Sequence, residues 1–484
     1  MYLGLDLGTS GVKALLMDDA QRVVASATGD LEVSRPHPGW SEQDPASWIE
    51  AAEAAVMTLK ASHARALSAV RGIGLSGQMH GATVLGAGDE VLRPCILWND
   101  TRSFQEAARL DADPRFRAIS GNIVFPGFTA PKIAWLKANE PQIFKALRKV
   151  LLPKDYLRLW LTGEHVSEMS DSAGTSWLDT GQRRWSPELL AATDLGVEHM
   201  PALVEGTQAS GTLRGSVVAR WSMGGDVVVA GGAGDNAASA VGMGTVGEGH
   251  AFVSLGTSGV LFAANDSYRP SPQTAVHTFC HALPQTWHQM GVILSATDSL
   301  NWLSEITGRG AKELTDELGP RPSGPSTVAF LPYLSGERTP HNDASIRGAF
   351  VGLGHESGRA SLTQAVLEGV AFALRDNLEA LRAAGTNLAR VTAIGGGSRS
   401  SYWLETIANT LGIPVDVPAD GDFGAALGAA RLGLMAGTGA EPLSVCTPPP
   451  TSRTIEPNTD LAAAYDDAWR RWRTLYPALK NAAQ

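Results

Sequence analysis

Cysteine is scarce in this chain. Cys95, Cys280 and Cys446 are the only three in 484 residues, and they stand far apart. Such scatter offers neither the paired ligands of a zinc site nor a disulfide framework, and it fits a reducing, cytoplasmic setting. Basic charge is short as well: 39 Lys and Arg face 49 Asp and Glu, a formal net charge of -10. That balance argues against a nucleic-acid-binding surface, which needs a basic face. It leaves a nucleotide substrate open, because a bound Mg²⁺ and amide dipoles can offset phosphate charge. No uninterrupted apolar run is long enough to span a bilayer. The opening Met1-Tyr2-Leu3-Gly4-Leu5-Asp6 carries no basic stretch, so no signal peptide is expected. Low-complexity tails are missing too.

Glycine, by contrast, is abundant, with 53 residues, and some of it recurs in order. Tyr2–Leu5 reads as a strand, Gly8-Thr9-Ser10-Gly11 as a turn, Val12–Met17 as the returning strand, and Val23–Ala27 as a candidate third. A tight turn between strands makes them antiparallel, unlike the strand-to-helix entry of a P-loop. Leu7-Gly8-Thr9-Ser10-Gly11-Val12 then returns letter for letter as Leu255-Gly256-Thr257-Ser258-Gly259-Val260, about half the chain later. A fainter pair, Gly234-Asp235-Asn236-Ala237-Ala238 and Gly421-Asp422-Phe423-Gly424-Ala425-Ala426, leads in each case into small residues that favour closely packed helices. Together these predict an α/β protein of two duplicated halves, 1–245 and 246–484, facing across a cleft. Ser361–Arg382 has helical apolar spacing, with Ser361 and Gln364 as a capping box. Thr447–Pro450 reads as a loop, and Asp460–Leu479 as a closing helix.

Backbone N–H groups beside glycine are suited to cradling phosphates, and Thr9, Ser10, Thr257 and Ser258 add hydroxyl donors. Asp6 leads the first turn. A carboxylate beside phosphates is repulsive unless a cation such as Mg²⁺ lies between them. Lys13 can offer a point charge.

Asp6 with Gly8-Thr9-Ser10, the repeated Leu-Gly-Thr-Ser-Gly and Ile394-Gly395-Gly396-Gly397-Ser398 resemble the signature of the actin-like ATPase superfamily, with its ribonuclease H-like domains. Within it, Gly234-Asp235-Asn236-Ala237-Ala238 is similar to the FGGY carbohydrate kinases, and the motifs follow the expected order along the whole chain. The resemblance implies MgATP as donor, Asp6 near Mg²⁺, directly or through water, and the phosphates, and Lys13 near the phosphate tail. It implies Gly8, Thr9 and Ser10 at the first phosphate turn and Gly256 and Thr257 at the second. Gly396, Gly397 and Ser400 would lie near the adenosine.

A sugar hydroxyl must lose a proton to attack phosphorus, and a carboxylate can accept it late in the transfer. Asp235 is the chosen base, at a helix start that favours its ionised form; as a bare N-cap it would carry no chemistry. Gly77-Gln78-Met79-His80-Gly81 resembles the branch of the family that phosphorylates D-xylulose. Met79 gives a polarisable wall and His80 a hydroxyl donor or acceptor. Asn236 is placed at the sugar by the same resemblance. Ile96-Leu97-Trp98-Asn99-Asp100-Thr101-Arg102 resembles a family segment. There Trp98 could stack on a sugar, and Asp100 with Arg102 could bond hydroxyls or each other. Gly127–Leu136, Pro153-Lys154-Asp155-Tyr156 and Asp171–Thr175 are family-typical, the first expected to be structural. Glu337 and Arg338 are expected to be structural charges. The alternatives are a kinase of the same family acting on ribulose, fuculose, gluconate or glycerol, and a non-catalytic actin-like sugar sensor. Homodimers are common in the resembled family.

Overall fold

A computed structural model describes residues 1–419, 421 and 423–482; Asp422, half of the second Gly-Asp pair, lies outside them. The chain forms two seven-stranded sheets of the same design. In the first, Val23–Asp30, Gly11–Met17 and Tyr2–Leu7 run antiparallel in that order, and Gly72–Gly77 and then Val228–Ala230 continue parallel. In the second, Trp287–Ile293, Gly259–Asn265 and Ala251–Leu255 are antiparallel, and Val391–Ile394 and Val415–Pro418 continue parallel. The repeated hexapeptide occupies the same turn, between the first two strands, in each sheet. The actin-like architecture is therefore borne out. The chain passes from one sheet to the other between Met243 and Ala251.

Strand alternation decides what covers each face. Leu3, Leu5 and Leu7 point into a core with Trp48, Ala52 and Val56 of the helix Pro45–Ser68. That helix starts at Asp44, whose carboxylate accepts the Ala46 N–H at 3.0 Å, with Pro45 in the first turn. In the second half, Val253, Leu255 and Leu261 pack with Val366, Val370, Leu374 and Leu378 of the helix Arg359–Ala383. Its apolar face is as the sequence implies, but its start is not. Gly358 is the N-cap and Ser361 is already inside, so no capping box forms. The expected closing helix is two, Ala462–Arg473 and Leu475–Ala482.

The other face of the first sheet is covered from the second half. Tyr2 and Gly4 look towards the helix Ala425–Thr438, which crosses Gly72–Gly77 and Tyr2–Leu7 at backbone distance. A Cβ on Gly4 would sit 1.9 Å from the Ala426 carbonyl oxygen, and one on Gly74 1.7 Å from that of Ala429. The same helix packs on Asp235–Met243, where a Cβ on Gly428 would meet the Ala238 oxygen at 1.8 Å. The two small-residue helices expected to approach a neighbour closely approach each other. Between the strands Gly72–Gly77 and Val228–Ala230 the chain builds a helical lobe around Phe116, Ile133, Trp177 and Leu189.

Candidate active site

Asp6 stands at the end of the central strand of the first sheet, across from Lys13 on its antiparallel neighbour. Ser76 Oγ donates to Asp6 Oδ1 at 2.8 Å. The turn that follows is closed by a Gly8 N–H to Gly11 carbonyl bond of 2.9 Å. Thr9 is the hub of its surroundings. Its hydroxyl donates to Gln78 Oε1 at 3.2 Å and accepts the Trp98 indole N–H at 3.0 Å, while its carbonyl accepts Gln43 Nε2 at 2.8 Å. Ser10 is exposed at the tip. Trp98 is 47% exposed, so its ring is open to a ligand.

Asp235 opens the helix Asp235–Met243 directly after Gly234. Its Oδ1 accepts the Asn236 backbone N–H at 2.7 Å and the Asn236 side-chain amide at 2.9 Å. Burial, and after it the negative charge of Asp6, push its pKa up to about 6. The carboxylate at the helix start and the one beside the Gly8–Gly11 turn are thus close enough to feel each other. Met79 lies against Gly234, where a Cβ would come 2.9 Å from its Cγ.

His80 is held in the left-handed region, φ 70°, which non-glycine residues adopt only at a cost. Its carbonyl accepts Lys132 Nζ at 2.8 Å and Thr129 Oγ1 at 3.2 Å. Its ring stacks on Phe128 with centroids 4.5 Å apart, and Nδ1 lies 2.7 Å from the Gly174 carbonyl. A carbonyl can only accept, so Nδ1 carries the proton and Nε2 is left as an acceptor. Burial drives the His80 pKa down to about 3 and that of Lys132 down to about 7. The Gly127–Leu136 segment, expected to be structural, supplies Phe128, Thr129 and Lys132 to this histidine; a buried lysine bonded to a carbonyl leaves no periodic signal.

Two of the expected sugar residues face inward. Gln78 is 3% exposed and divides its amide between Thr9 and Gln43. Asp100 is 1% exposed and takes the Ser41 N–H at 2.6 Å and Arg102 at 2.7 and 2.9 Å. Of the two roles open to Asp100, the geometry favours the internal ion pair. Arg102 in turn lies 3.5 Å from the centroid of Trp40.

On the second half, the Gly256 carbonyl accepts the Thr297 N–H and hydroxyl at 2.9 and 2.8 Å, and Thr257 and Ser258 are exposed. Thr297 also borders a cavity of about 1040 Å³ lined by Asn301, Gly396, Gly397, Ser400 and Tyr402. Its size suits a nucleoside. Ser400 caps the helix Ser401–Leu411, accepting the Trp403 N–H at 3.3 Å. Gly397 has no room for a side chain, with Leu255 Cβ 2.8 Å from where its own would be, whereas a Cβ on Gly396 would meet no protein atom within 4 Å. Packing does not require glycine there, which fits a site where a ligand approaches the backbone. Thr297 and Asn301 carry no motif of their own. A second cavity, about 660 Å³, lies between Ser239 and Met243 of the helix that Asp235 opens and Gly395 and Ser398 of the glycine turn; it shares Arg399 with the first. The Asp6 carboxylate is a hard oxygen donor suited to Mg²⁺. No group of three or more potential metal-ligating side chains occurs among the described residues. No helix among them is long and apolar enough to cross a membrane.

The N-terminal domain of the FGGY family of carbohydrate kinases matches residues 1–242, and the C-terminal domain of that family matches residues 251–437. The chain is 48% identical to a protein named xylulose kinase from Escherichia coli K12, over 99% of each chain. It is 50% identical to one so named from Klebsiella pneumoniae, over 90% of each. A crystal structure named as a xyloylose kinase from Brucella ovis superposes with a TM-score of 0.99 at 68% identity, over 99% of both chains.

Proposed function

The chain belongs to the FGGY family of carbohydrate kinases, and from that premise we propose that it transfers the γ-phosphate of ATP to the hydroxyl on the fifth carbon of D-xylulose. The observation that carries the mechanism is the placement of Asp235. It opens a helix, its pKa is held near 6 by burial and by Asp6, and Met79 packs against Gly234 just before it. Full-length likeness to proteins named xylulose kinase supports the choice of sugar.

In this reading the sugar lies between Met79, His80 and Asp235, with His80 Nε2 accepting a hydrogen bond from a sugar hydroxyl and Trp98 covering a face. The hydroxyl oxygen bonds to the γ-phosphorus as the bridging bond to the β-phosphate breaks. The proton passes to Asp235, and ADP carries away the electron pair of the broken bond. The amides and hydroxyls of Thr9, Ser10, Thr257 and Ser258 hold the phosphate chain, Lys13 adds a positive charge, and Gly396, Gly397 and Ser400 border the adenosine. Asp6 is the residue that would hold Mg²⁺, which supplies charge neutralisation along the phosphates. Positioning and electrostatics then do most of the work.

A coupled ADP-release assay over D-xylulose, D-ribulose, L-fuculose, D-gluconate and glycerol tests the sugar. The expected result is a kcat/KM for D-xylulose at least about tenfold above the rest, the discrimination that one or two buried polar contacts supply. A higher value for any other sugar overturns it.

A further inference from the structure

Two family-typical segments that take no part in the mechanism above meet beneath the site. Lys154 is wholly buried, and its ammonium lies 2.8 Å from Asp155, 2.9 Å from Asp171 and 3.4 Å from Glu168. Burial disfavours that ammonium, but the three carboxylates outweigh it and hold its pKa above the ordinary value. Glu168 fixes the segment after it by accepting the N–H groups of Ser170 and Asp171 at 2.7 and 2.8 Å and the Ser170 hydroxyl at 2.8 Å. With its proton given to Glu168, Ser170 Oγ has lone pairs left, and it accepts the Gly234 N–H at 3.0 Å. Gly234 is the residue before Asp235. Four residues beyond Ser170, the Gly174 carbonyl accepts His80 Nδ1 at 2.7 Å. A Cβ on Gly174 would come 2.6 Å from that imidazole. One short segment, tied to a buried lysine, therefore holds the peptide in front of the base at one end and the sugar-facing imidazole at the other.

We propose that Glu168–Gly174 is a yoke that sets the separation of Asp235 and His80, and that Ser170 is its positioning residue for the base. This rests on the reading of Asp235 as the proton acceptor. The Ser170 hydroxyl touches neither sugar nor nucleotide in that reading; it acts through the Gly234 N–H. Removing it leaves that buried N–H without an acceptor and frees the turn that aims the carboxylate. The imidazole, held by Gly174, keeps its place, so the loss falls on turnover rather than on sugar capture.

The test compares wild type, Ser170→Ala, Ser170→Thr and Asp235→Asn, each with its MgADP-binding stoichiometry measured calorimetrically so that rates refer to folded sites. Ser170→Ala is expected to lower kcat on D-xylulose about tenfold, the size set by one unsatisfied buried donor, with KM for the sugar and Kd for MgADP within about twofold of wild type. Ser170→Thr, which keeps the oxygen, is expected to recover most of kcat. A Ser170→Ala kcat within about twofold of wild type overturns the proposal, and so does a parallel shift of kcat, KM and MgADP affinity. If Asp235→Asn retains turnover, the base assignment itself fails, and with it the premise of the yoke. A wild type inactive on D-xylulose but active on another sugar moves the comparison to that sugar and tests the same bond.

Discussion

Replacing Asp235 by asparagine should abolish turnover and yet make the protein more stable at pH 8. The carboxyl is shifted from its ordinary 3.8 to about 6 by burial and then by Asp6. Between those two values the folded chain binds more protons at this site than the unfolded chain, so stability falls as pH climbs through that window and stays level above it. Two decades of pH at about 1.4 kcal/mol each put the penalty of the ionised form at about 3 kcal/mol at most, because the carboxylate is only half-buried and solvent screens part of it. Asparagine keeps an oxygen for the two Asn236 donors and carries no charge, so it relieves that penalty. Urea denaturation of wild type and Asp235→Asn at pH 8 and pH 4 gives the measurement. The variant should gain stability at pH 8, and the gain should shrink towards zero near pH 4. The same shift sets the acid limb of kcat/KM, which reports the unliganded enzyme. Activity should rise through an apparent pKa of about 6, with roughly a tenth of the plateau left at pH 5. His80, driven down to about 3, does not titrate there, and Lys132, near 7, would give a limb of opposite sign. A flat profile from pH 5 to 8, together with no stabilisation of the variant at pH 8, would refute the account of how Asp235 is tuned.

Gly396→Ala should melt like wild type, since its Cβ meets no protein atom, but should weaken MgADP binding at least about tenfold, as close backbone approach is lost; calorimetry reads this directly. Gly74→Ala should prevent accumulation of folded protein, because its Cβ would lie 1.7 Å from the Ala429 oxygen and neither backbone can yield; soluble yield against wild type is the check. Asp100→Asn should lower stability by about 2 kcal/mol, the size of a weakened charge-assisted hydrogen bond rather than of an orphaned charge, because buried Arg102 keeps Glu42 at 2.7 Å, while KM for the sugar in the folded fraction stays near wild type, measured by denaturation and steady-state kinetics.

The sequence carried the architecture because duplication is written in it. Leu7–Val12 and Leu255–Val260 share letters since each closes the same turn, one in either of two sheets of the same design. Strand alternation and the apolar face of Arg359–Ala383 were legible for the usual reason, that one face of each is buried. Other features were not legible because they depend on distant partners. Nothing near residue 80 says that Lys132 will bond its carbonyl, or that Gly174 will fix its ring. The Trp98–Arg102 segment reads equally well as sugar contact or internal pair, and only burial separates Trp98, open at the cleft, from Asp100, closed behind it. Ser361 and Gln364 have capping-box letters, yet the helix extends two residues further towards the N-terminus, so local letters lose to the tertiary start at Gly358.

The helix Ala425–Thr438 follows a strand of the second sheet but lies on the first, touching it through glycines. Each lobe consequently lacks something only the other can lend. A fragment cut near residue 245 would expose a bare strip of peptide groups along Gly4, Gly72 and Gly74, and ought to precipitate when made alone. Co-expressed with its complement, it should be rescued as a heterodimer, because the surface that the first sheet lacks travels with the other fragment.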